Sequence, residues 1–399
     1  MLYLCAYSAW FCKKIHMKIL ICSSNTGEGH NSCSKAIQAA FSARGIESDI
    51  IDTLAIAGHK ISSFATKFYL FAAKSNLFRW MYNTGDRIDD LLDKEKSPVY
   101  MFNATYAKRL MDYIVLGGYD AVVCPHLYPS ETLTFLRRHK MLYIPSYYVA
   151  TDYTCIPFIS ETELDGYVIP HRDLTDEYIN KHIDASKLYP LGIPVLESQF
   201  ADRLSKAESR KKVNREFDLP TTTEDSRWFL IMGGSMGHGD MENLVEEMLD
   251  HCNANDRVIC VCGRNKDAYR TISKRFSQER RVVPISYTKE ISLLMDAIDV
   301  LLTKPGGISS TEACIKNIPI VHTDPIPGLE NHNIDFFVAH GMSCTATTVE
   351  EQADLAVRLC EDDTMREKML QAQRDNTNPR AADDIVALVV SALEQYHVQ

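Results

Sequence analysis

Three short stretches hold residue types whose spacing could do chemistry. The first is Ser24-Asn25-Thr26-Gly27-Glu28-Gly29-His30. Gly27 and Gly29 let the backbone bend tightly and approach a ligand, with Glu28 between them. His30 closes the loop just before a helix that Asn31 or Ser32 can cap. The free amides and positive dipole end of that helix point outward. An imidazole placed there can take a proton from an attacking hydroxyl near neutral pH. The bland alternative is that His30 only caps the helix.

The second stretch, residues 232–239, reads MGGSMGHG, with Gly233, Gly234, Ser235 and Gly237 among its residues. Glycines at this density suit a backbone cradle for phosphate oxygens. It has neither the GK[ST] ending of a P-loop nor the GxGxxG spacing of a dinucleotide turn. The third stretch is the most specific: Thr303-Lys304-Pro305-Gly306-Gly307-Ile308-Ser309-Ser310-Thr311-Glu312. A Pro-Gly-Gly turn opens a helix, so Ser309, Ser310 and the helix amides can face a diphosphate. Glu312, in the first helical turn, can accept two hydrogen bonds from a ribose diol. Its alternative role is a carboxylate that merely favours a helix N-terminus, a matter of about 1 kcal/mol or less. Downstream, Glu330 and Asn333 follow another Pro- and Gly-rich turn and would suit sugar hydroxyls. Lys304 and Arg264 could add positive charge near the phosphates. No DxD triplet and no metal-ligand cysteine or histidine spacing occurs, so the sequence requires no metal and no bound cofactor.

The elements around these stretches alternate between strand and helix. KILIC, ESDIIDTL, YDAVVCPH, KMLYIPSYYVATD and DGYVIP read as strands of a first half. RWFLIM, RVICVCG, RVVPIS, DVLLT and IPIVHT read as strands of a second half, with MENLVEEML, KEISLLMDAI and SSTEACIKN as helices between them. Short apolar runs alternating with helices predict doubly wound parallel sheets, whose ligands bind beyond the carboxyl ends of the strands. The chain of 399 residues fits two such α/β domains facing across a cleft. The expected divisions are a leader or start-site artefact at 1–16, a first domain at 17–195 and a second domain at 196–378. A final helix in 379–399 is expected to pack back toward the first domain.

The net charge of −10 argues against a general nucleic-acid binder. The 12 cysteines, scattered and apolar-flanked, read as reduced core residues of a cytoplasmic protein. Segment 60–82 places Lys60, Lys67 and Lys74 seven residues apart, hence on one side of a helix, with Phe64, Phe68, Phe71 and Phe78 near another stripe and Trp80 nearby. A basic, aromatic helix of this kind fits docking on an anionic membrane surface, and equally fits a surface helix packed on its own domain.

The segments SSNTGEGHNSCSKAI, PLGIPV, LIMGGSMG, VCGRN, YTKEISLLMDAIDVLLTKPGGISSTEA and PIPGLENHN occur in order from Met17 onward. Together they resemble the monogalactosyldiacylglycerol synthases and the processive diacylglycerol glucosyltransferases of glycosyltransferase family 28. The resemblance implies a GT-B fold and an inverting transfer, at the cytoplasmic face, from a UDP-sugar held by the donor-binding domain at 196–378 to a membrane lipid, diacylglycerol above all, held by the acceptor-binding domain at 17–195. It implies that His30 is the general base, that Asp152 in Thr151-Asp152-Tyr153 faces the acceptor, and that Glu312 holds the ribose. Glu330 and Asn333 then form the sugar-side pair. The chain departs from the pattern at Glu28, where a loop glycine is usual, and at Leu329, where a glutamine is usual. It departs again at Cys155, Ile156, Pro157 and Phe158, where plant-type synthases carry a histidine and a tryptophan. Competing readings are a UDP-N-acetylglucosamine 2-epimerase, an N-acetylglucosaminyltransferase using a polyprenyl-linked acceptor, and a UDP-sugar-sensing binding protein.

Overall fold

A computed structural model describes residues 17–24, 28–57, 97–200, 203–326 and 328–398. The leader at 1–16, Gly27, and the segment holding Lys60, Lys67, Phe68, Phe71 and Trp80 lie outside the described residues. Two six-stranded parallel sheets organise the rest. The first is built from β1 (Lys18–Ser23), β2 (Glu47–Asp52), β3 (Ala121–Cys124), β4 (Ser146–Val149), β5 (Gly166–Val168) and β6 (Leu188–Tyr189), in the order β2-β1-β3-β4-β5-β6. The second contains β7 (Trp228–Met232), β8 (Arg257–Val261), β9 (Val282–Ile285), β10 (Val300–Thr303), β11 (Ile320–His322) and β12 (Cys344–Thr345), in the order β12-β11-β10-β7-β8-β9. Both are Rossmann-like sheets, and the chain is an α/β protein of the GT-B type. The two-residue strands β6 and β12 escaped the sequence reading, being too short to show a period.

Burial on both faces explains the strand sequences. All of β7 (WFLIM) and β8 (RVICV) is buried, and so is all of β1 beyond Lys18. Helix α1 (Glu28–Ala43) follows β1 and buries Cys33, Ala36, Ile37, Ala40 and Phe41, the i, i+3, i+4, i+7, i+8 stripe of an amphipathic helix. It begins at Glu28, so neither Asn31 nor Ser32 caps it, and His30 lies within its first turn rather than before it. Four more helices matter for the site: α2 (Leu127–Arg138) after β3, α3 (Met241–His251) after β7, α4 (Gly307–Ile315) after β10, and α5 (Leu329–Ala339) after β11.

In each sheet the strand order reverses once, between β1 and β3 and between β7 and β10. A reversal sends successive helices to opposite faces and opens a crevice at the carboxyl ends of the strands. The segments flanking these two crevices are Ser24, the first turn of α1 and 125–126 in the first sheet, and 233–239 and 304–306 in the second. The sequence motifs therefore sit where this topology makes room for a ligand.

The two halves are tied together. Tyr153, just past β4, packs its ring on Phe336 and Phe337 of α5 with centroids 4.6 and 4.7 Å apart. Its hydroxyl lies 3.0 Å from Thr311 Oγ1 of α4. The final helix, α6 (Ala381–Val398), buries Ile385, Val386 and Val389 and contacts α1. Arg44 donates to the Asp383 carbonyl at 3.0 Å, and Asn378 donates to the Leu191 carbonyl at 2.8 Å. Among the described residues no helix is long and apolar enough to cross a membrane.

Candidate active site

The first turns of α1 and α4 meet across the cleft. A Cβ on Gly29 would stand 3.3 Å from Ile308 Cγ1. A Cβ on Gly307 would stand 2.1 Å from the Thr151 carbonyl oxygen, an impossible contact. Gly307 is thus glycine because the backbone after β4 presses directly on the start of α4. Gly237 is required for a second reason. It holds φ 58°, and a Cβ there would sit 2.3 Å from the Cys262 carbonyl. The glycine loop after β7 is therefore folded tightly against the loop after β8, and Arg264 N donates to the Ser235 carbonyl at 2.8 Å.

A cleft of about 370 Å³ lies between the halves. From the first half, Glu28, Ser32 and Lys35 of α1 line it, with residues 194–196. From the second half come Gly234, Ser235, Gly263, Ser309 and Glu312, and also Tyr287, Thr288 and Lys289 just past β9. The sequence reading singled out Gly234, Ser235, Ser309 and Glu312. It gave no role to Lys35 or to 287–289, although the rule that ligands sit past strand ends points to the latter.

His30 is half-buried beside this cleft and is not among its lining residues. Its Nδ1 lies 2.8 Å from the Pro125 carbonyl oxygen and 3.4 Å from Thr151 Oγ1. A carbonyl can only accept, so the neutral ring carries its proton on Nδ1 and its lone pair on Nε2. Burial pulls the His30 pKa below the ordinary histidine value, and the charge of Asp152 and the Pro125 bond partly restore it. The ring of His126 stands edge-on to it with centroids 4.5 Å apart. Burial, and then the neighbouring His30, hold His126 well below the ordinary range. A neutral His126 places no charge beside His30. The sequence reading passed over His126 in CPH; its place after β3, at the sheet's reversal, was the available signal.

Asp152 and Asn333 join the halves at the edge of the site. Asn333, fully buried, donates to Asp152 Oδ1 and to the Pro305 carbonyl, each at 2.9 Å, and accepts from Tyr153 N at 2.7 Å. These bonds commit its amide to the joint between the halves rather than to a sugar. Glu330 is likewise occupied: one oxygen pairs with Lys304 Nζ and the other accepts from Ile326 N at 2.7 Å. Arg264 pairs with Glu28 across the cleft, from the loop after β8 to the first turn of α1. Both cations expected to meet phosphate are therefore held on carboxylates, and the cations that line the cleft are Lys35 and Lys289. Ser310, expected to face the diphosphate, is buried and bonds His322 Nε2 at 2.9 Å. Gly233 packs against the His238 backbone, and Gly306 caps α4.

Glu312 differs from its neighbours. It lines the cleft, and among the described residues no side chain or backbone amide bonds its carboxyl. Burial alone pushes its pKa up to about 8. A half-buried carboxyl at a cleft wall, given no internal partner, is an attractor for hydroxyl donors from a ligand. The residues at the plant-type departure serve a structural end: Cys155 N and Thr154 Oγ1 both donate to Glu177 Oε1, at 2.8 and 2.6 Å.

Comparison with known proteins agrees with this geometry. A family model for monogalactosyldiacylglycerol (MGDG) synthase matches residues 30–195, and one for the glycosyltransferase family 28 C-terminal domain matches residues 229–388. Processive diacylglycerol beta-glucosyltransferase of Staphylococcus saprophyticus is 27% identical, over 84% of this chain and 82% of its own length. The Bacillus cytotoxicus protein of the same name is 25% identical over 96% and 95%. Among solved structures, MurG of Acinetobacter baumannii superposes with TM-score 0.62 at 12% identity, covering 94% of this chain and 99% of its own. UDP-GlcNAc 2-epimerase from Neisseria meningitidis gives 0.62 at 15%, covering 94% and 100%; at such identities these two speak for the fold alone. With one family model on each half and relatives aligned along most of its length, the chain is a UDP-sugar-dependent glycosyltransferase that joins an MGDG synthase domain to a glycosyltransferase family 28 C-terminal domain.

Proposed function

We propose that this protein transfers a hexose from a UDP-sugar to diacylglycerol, forming a glycolipid, by a single in-line displacement with inversion. The observation that carries the reading is His30. Its Nδ1 is committed to the Pro125 carbonyl, so the basic lone pair stands on Nε2, at the edge of a cleft whose far wall carries the unpartnered Glu312. The alcohol oxygen of the lipid gives its proton to Nε2 as it bonds to the anomeric carbon. The bond from that carbon to the UDP oxygen breaks on the opposite face. Asp152 supports the imidazolium that forms, which is the sense of its effect on the His30 pKa. Glu312 accepts from the ribose hydroxyls. The backbone at Gly234, Ser235 and the start of α4, with Lys35 and Lys289, meets the charge that grows on the diphosphate. No step is assigned to a metal or other cofactor. Glu330 and Asn333 act by holding the donor turn in place, and Glu330 can reach a sugar hydroxyl only by sharing its bond to Lys304.

The acceptor is a bilayer lipid, so the reading places the protein peripherally on the cytoplasmic face of the membrane. Lys60, Lys67, Phe68, Phe71 and Trp80, together with Gly27 and Gly29 at the acceptor loop, are its proposed contacts to an anionic surface and the lipid. The test is to incubate the protein with diacylglycerol vesicles and, in turn, UDP-glucose, UDP-galactose and UDP-N-acetylglucosamine. Lipid products are identified by mass and their anomeric configuration by NMR. A β-linked hexosyl lipid from one donor is the expected result. Epimerised nucleotide sugar without any glycolipid would transfer the protein to the epimerase reading.

A further inference from the structure

On the side of the molecule where α5 ends, three side chains from both halves converge. His171 and Asp173 belong to the 3-10 turn just past β5, and His340 follows the last residue of α5. Their ligand-capable atoms all lie within 4.8 Å of one another. Asp173 Oδ2 is 3.0 Å from His340 Nε2 and 3.7 Å from His171 Nδ1. Sequence spacing could not show this group, because His340 lies 167 residues from Asp173.

The hydrogen bonds fix where the lone pairs point. His340 Nδ1 is 2.8 Å from the Phe336 carbonyl and must donate to it, which puts the lone pair of the neutral ring on Nε2. That lone pair faces a carboxylate oxygen at 3.0 Å. Two acceptors at such a distance repel unless a positive centre sits between them. His171 Nδ1 accepts from Asp173 N at a long 3.2 Å, so its lone pair too is turned toward Asp173, while its other nitrogen has the Asn376 side chain as a hydrogen-bonding neighbour. Arg172 Nε approaches Asp173 Oδ1 at 3.8 Å and leaves Oδ2 to the two imidazoles. A proton between His340 and Asp173 would satisfy that pair and leave His171 Nδ1 on the Asp173 amide. A divalent metal ion would take all three lone pairs, displacing the long bond from Asp173 N to His171 Nδ1.

We infer that His171, Asp173 and His340 form a metal-binding site for a zinc-class divalent cation that clamps the two halves together. Two imidazoles and one carboxylate suit such an ion, and a tetrahedral site with bonds of about 2.0–2.1 Å places its ligands about 3.4 Å apart. The observed 3.0 and 3.7 Å bracket that separation, the third lies within 4.8 Å, and side-chain rotations would bring the three ligands to it. A backbone carbonyl on the far nitrogen of a ligating histidine is the usual outer support, and the Phe336 carbonyl supplies it. The exposed side of Asp173 leaves a fourth position for water. The clamp lies about 15 Å along α5 from Glu330, given the 1.5 Å rise per residue. Its role is therefore to brace the helix that carries Glu330 and Asn333, apart from the transfer chemistry.

The test uses the full chain, stripped with a chelator, and Zn²⁺ alone, followed by calorimetry and by thermal unfolding at neutral pH. One equivalent should bind, raise the melting temperature, and be released on acidification as the imidazoles protonate. Asp173→Asn, at a side chain exposed enough to tolerate change, and His340→Gln should each weaken binding about 10- to 100-fold or more. Co²⁺ serves as a second probe. It should give visible d–d bands without thiolate charge transfer, which separates this site from the cysteines. Absence of stoichiometric binding, or equal affinity in both variants, would overturn the assignment and leave a protonated His340–Asp173 pair in its place.

Discussion

The starts of α4 and α5 are near-twins that the fold uses differently. Each helix begins where one of two neighbouring parallel strands, β10 or β11, has ended, and each carries a glutamate within its first two turns. At α4, Glu312 has burial without a partner and a pKa raised to about 8. At α5, Glu330 is bonded to Lys304 and Ile326, and Asn333 to both halves of the chain. An unmatched carboxyl inside protein is a cost that a ligand can relieve, whereas a matched one already holds structure. The second turn of α4, where Glu312 falls rather than in the first turn that the sequence suggests, is therefore the part of the cleft wall with capacity to spare, and the first turn of α5 is its scaffold. His30, across the cleft, shares the logic of α4: Nδ1 is committed to the Pro125 carbonyl, and Nε2 is the nitrogen to which the proposed reading gives the proton transfer.

The largest effect should come from that nitrogen. His30→Ala should lower kcat about 10²- to 10⁴-fold, the span of general-base contributions, with UDP affinity kept within about twofold. Unchanged turnover removes His30 from the chemistry and with it the parallel to α4. The pH profile sharpens the same point. His30 titrates below the ordinary histidine value, so it stays neutral and able to accept a proton down to lower pH. The acid limb of kcat should therefore fall below the usual histidine range. Asp152→Asn, which removes a charge that raises the His30 pKa, should move that limb lower still. Next in size is Gly307→Ala. Its new Cβ would meet the Thr151 carbonyl and force α4 away from the segment holding Asp152. A displacement near 1 Å costs on the order of 10²-fold in rate. Full activity in this variant would show that the halves need not touch there.

Much of this arrangement was legible in the sequence, and the boundary is physical. Of the ten strands read from the sequence, most announced themselves because parallel strands buried on both faces are apolar, whereas β2 (ESDIID), at the sheet edge with no residue fully buried, showed only by its two isoleucines after a helix and a glycine. The glycines at 233–237 and 306–307 announced the donor turns, since only glycine tolerates such approaches. Residue type and position pointed to Glu312 and His30, and the family resemblance pointed to Asp152. What stayed hidden was which partner each polar group had found. Lys304 and Arg264 read as free cations, yet each rests on a glutamate. Ser310 read as a phosphate contact, yet it serves a buried histidine 12 residues on. His126 was overlooked because its meaning arises from β1 and β3 lying side by side, although they are about a hundred residues apart in the chain.

Glu312→Gln tests the α4 side of the comparison at intermediate size. Hydrogen bonds to a charged group contribute about 1.5–3 kcal/mol, so UDP should bind about 10- to 100-fold more weakly. A further signature belongs to the carboxyl alone. With its pKa at about 8, Glu312 is mostly protonated at neutral pH in the free protein. Donation from a ribose diol favours the ionised form and lowers that pKa, so binding of UDP should release a proton. Calorimetry in two buffers of different ionisation enthalpy measures the release, which Glu312→Gln should abolish. Proton uptake, or none in the native protein, would break the claim that Glu312 meets the ribose.

The smallest expected effect concerns Glu28, one of the positions at which this chain departs from the family pattern. Glu28 pairs with Arg264 across the cleft, and both are partly exposed, with side chains 30% and 53% accessible. An exposed pair of this kind contributes about 0–1 kcal/mol and is screened by salt. If it helps hold the halves closed over the donor, Glu28→Gln should raise the KM for the UDP-sugar by up to about fivefold and leave kcat unchanged. The native KM should also rise with ionic strength while that of the variant stays flat. The alternative outcome is equally readable. Tighter donor binding in Glu28→Gln would mean that freed Arg264 reaches the diphosphate, so that the native glutamate competes with the substrate. In that case the Arg264 pair would join Glu312 as spare binding capacity, and the line between a committed and an uncommitted wall would have to be redrawn through the loop after β8.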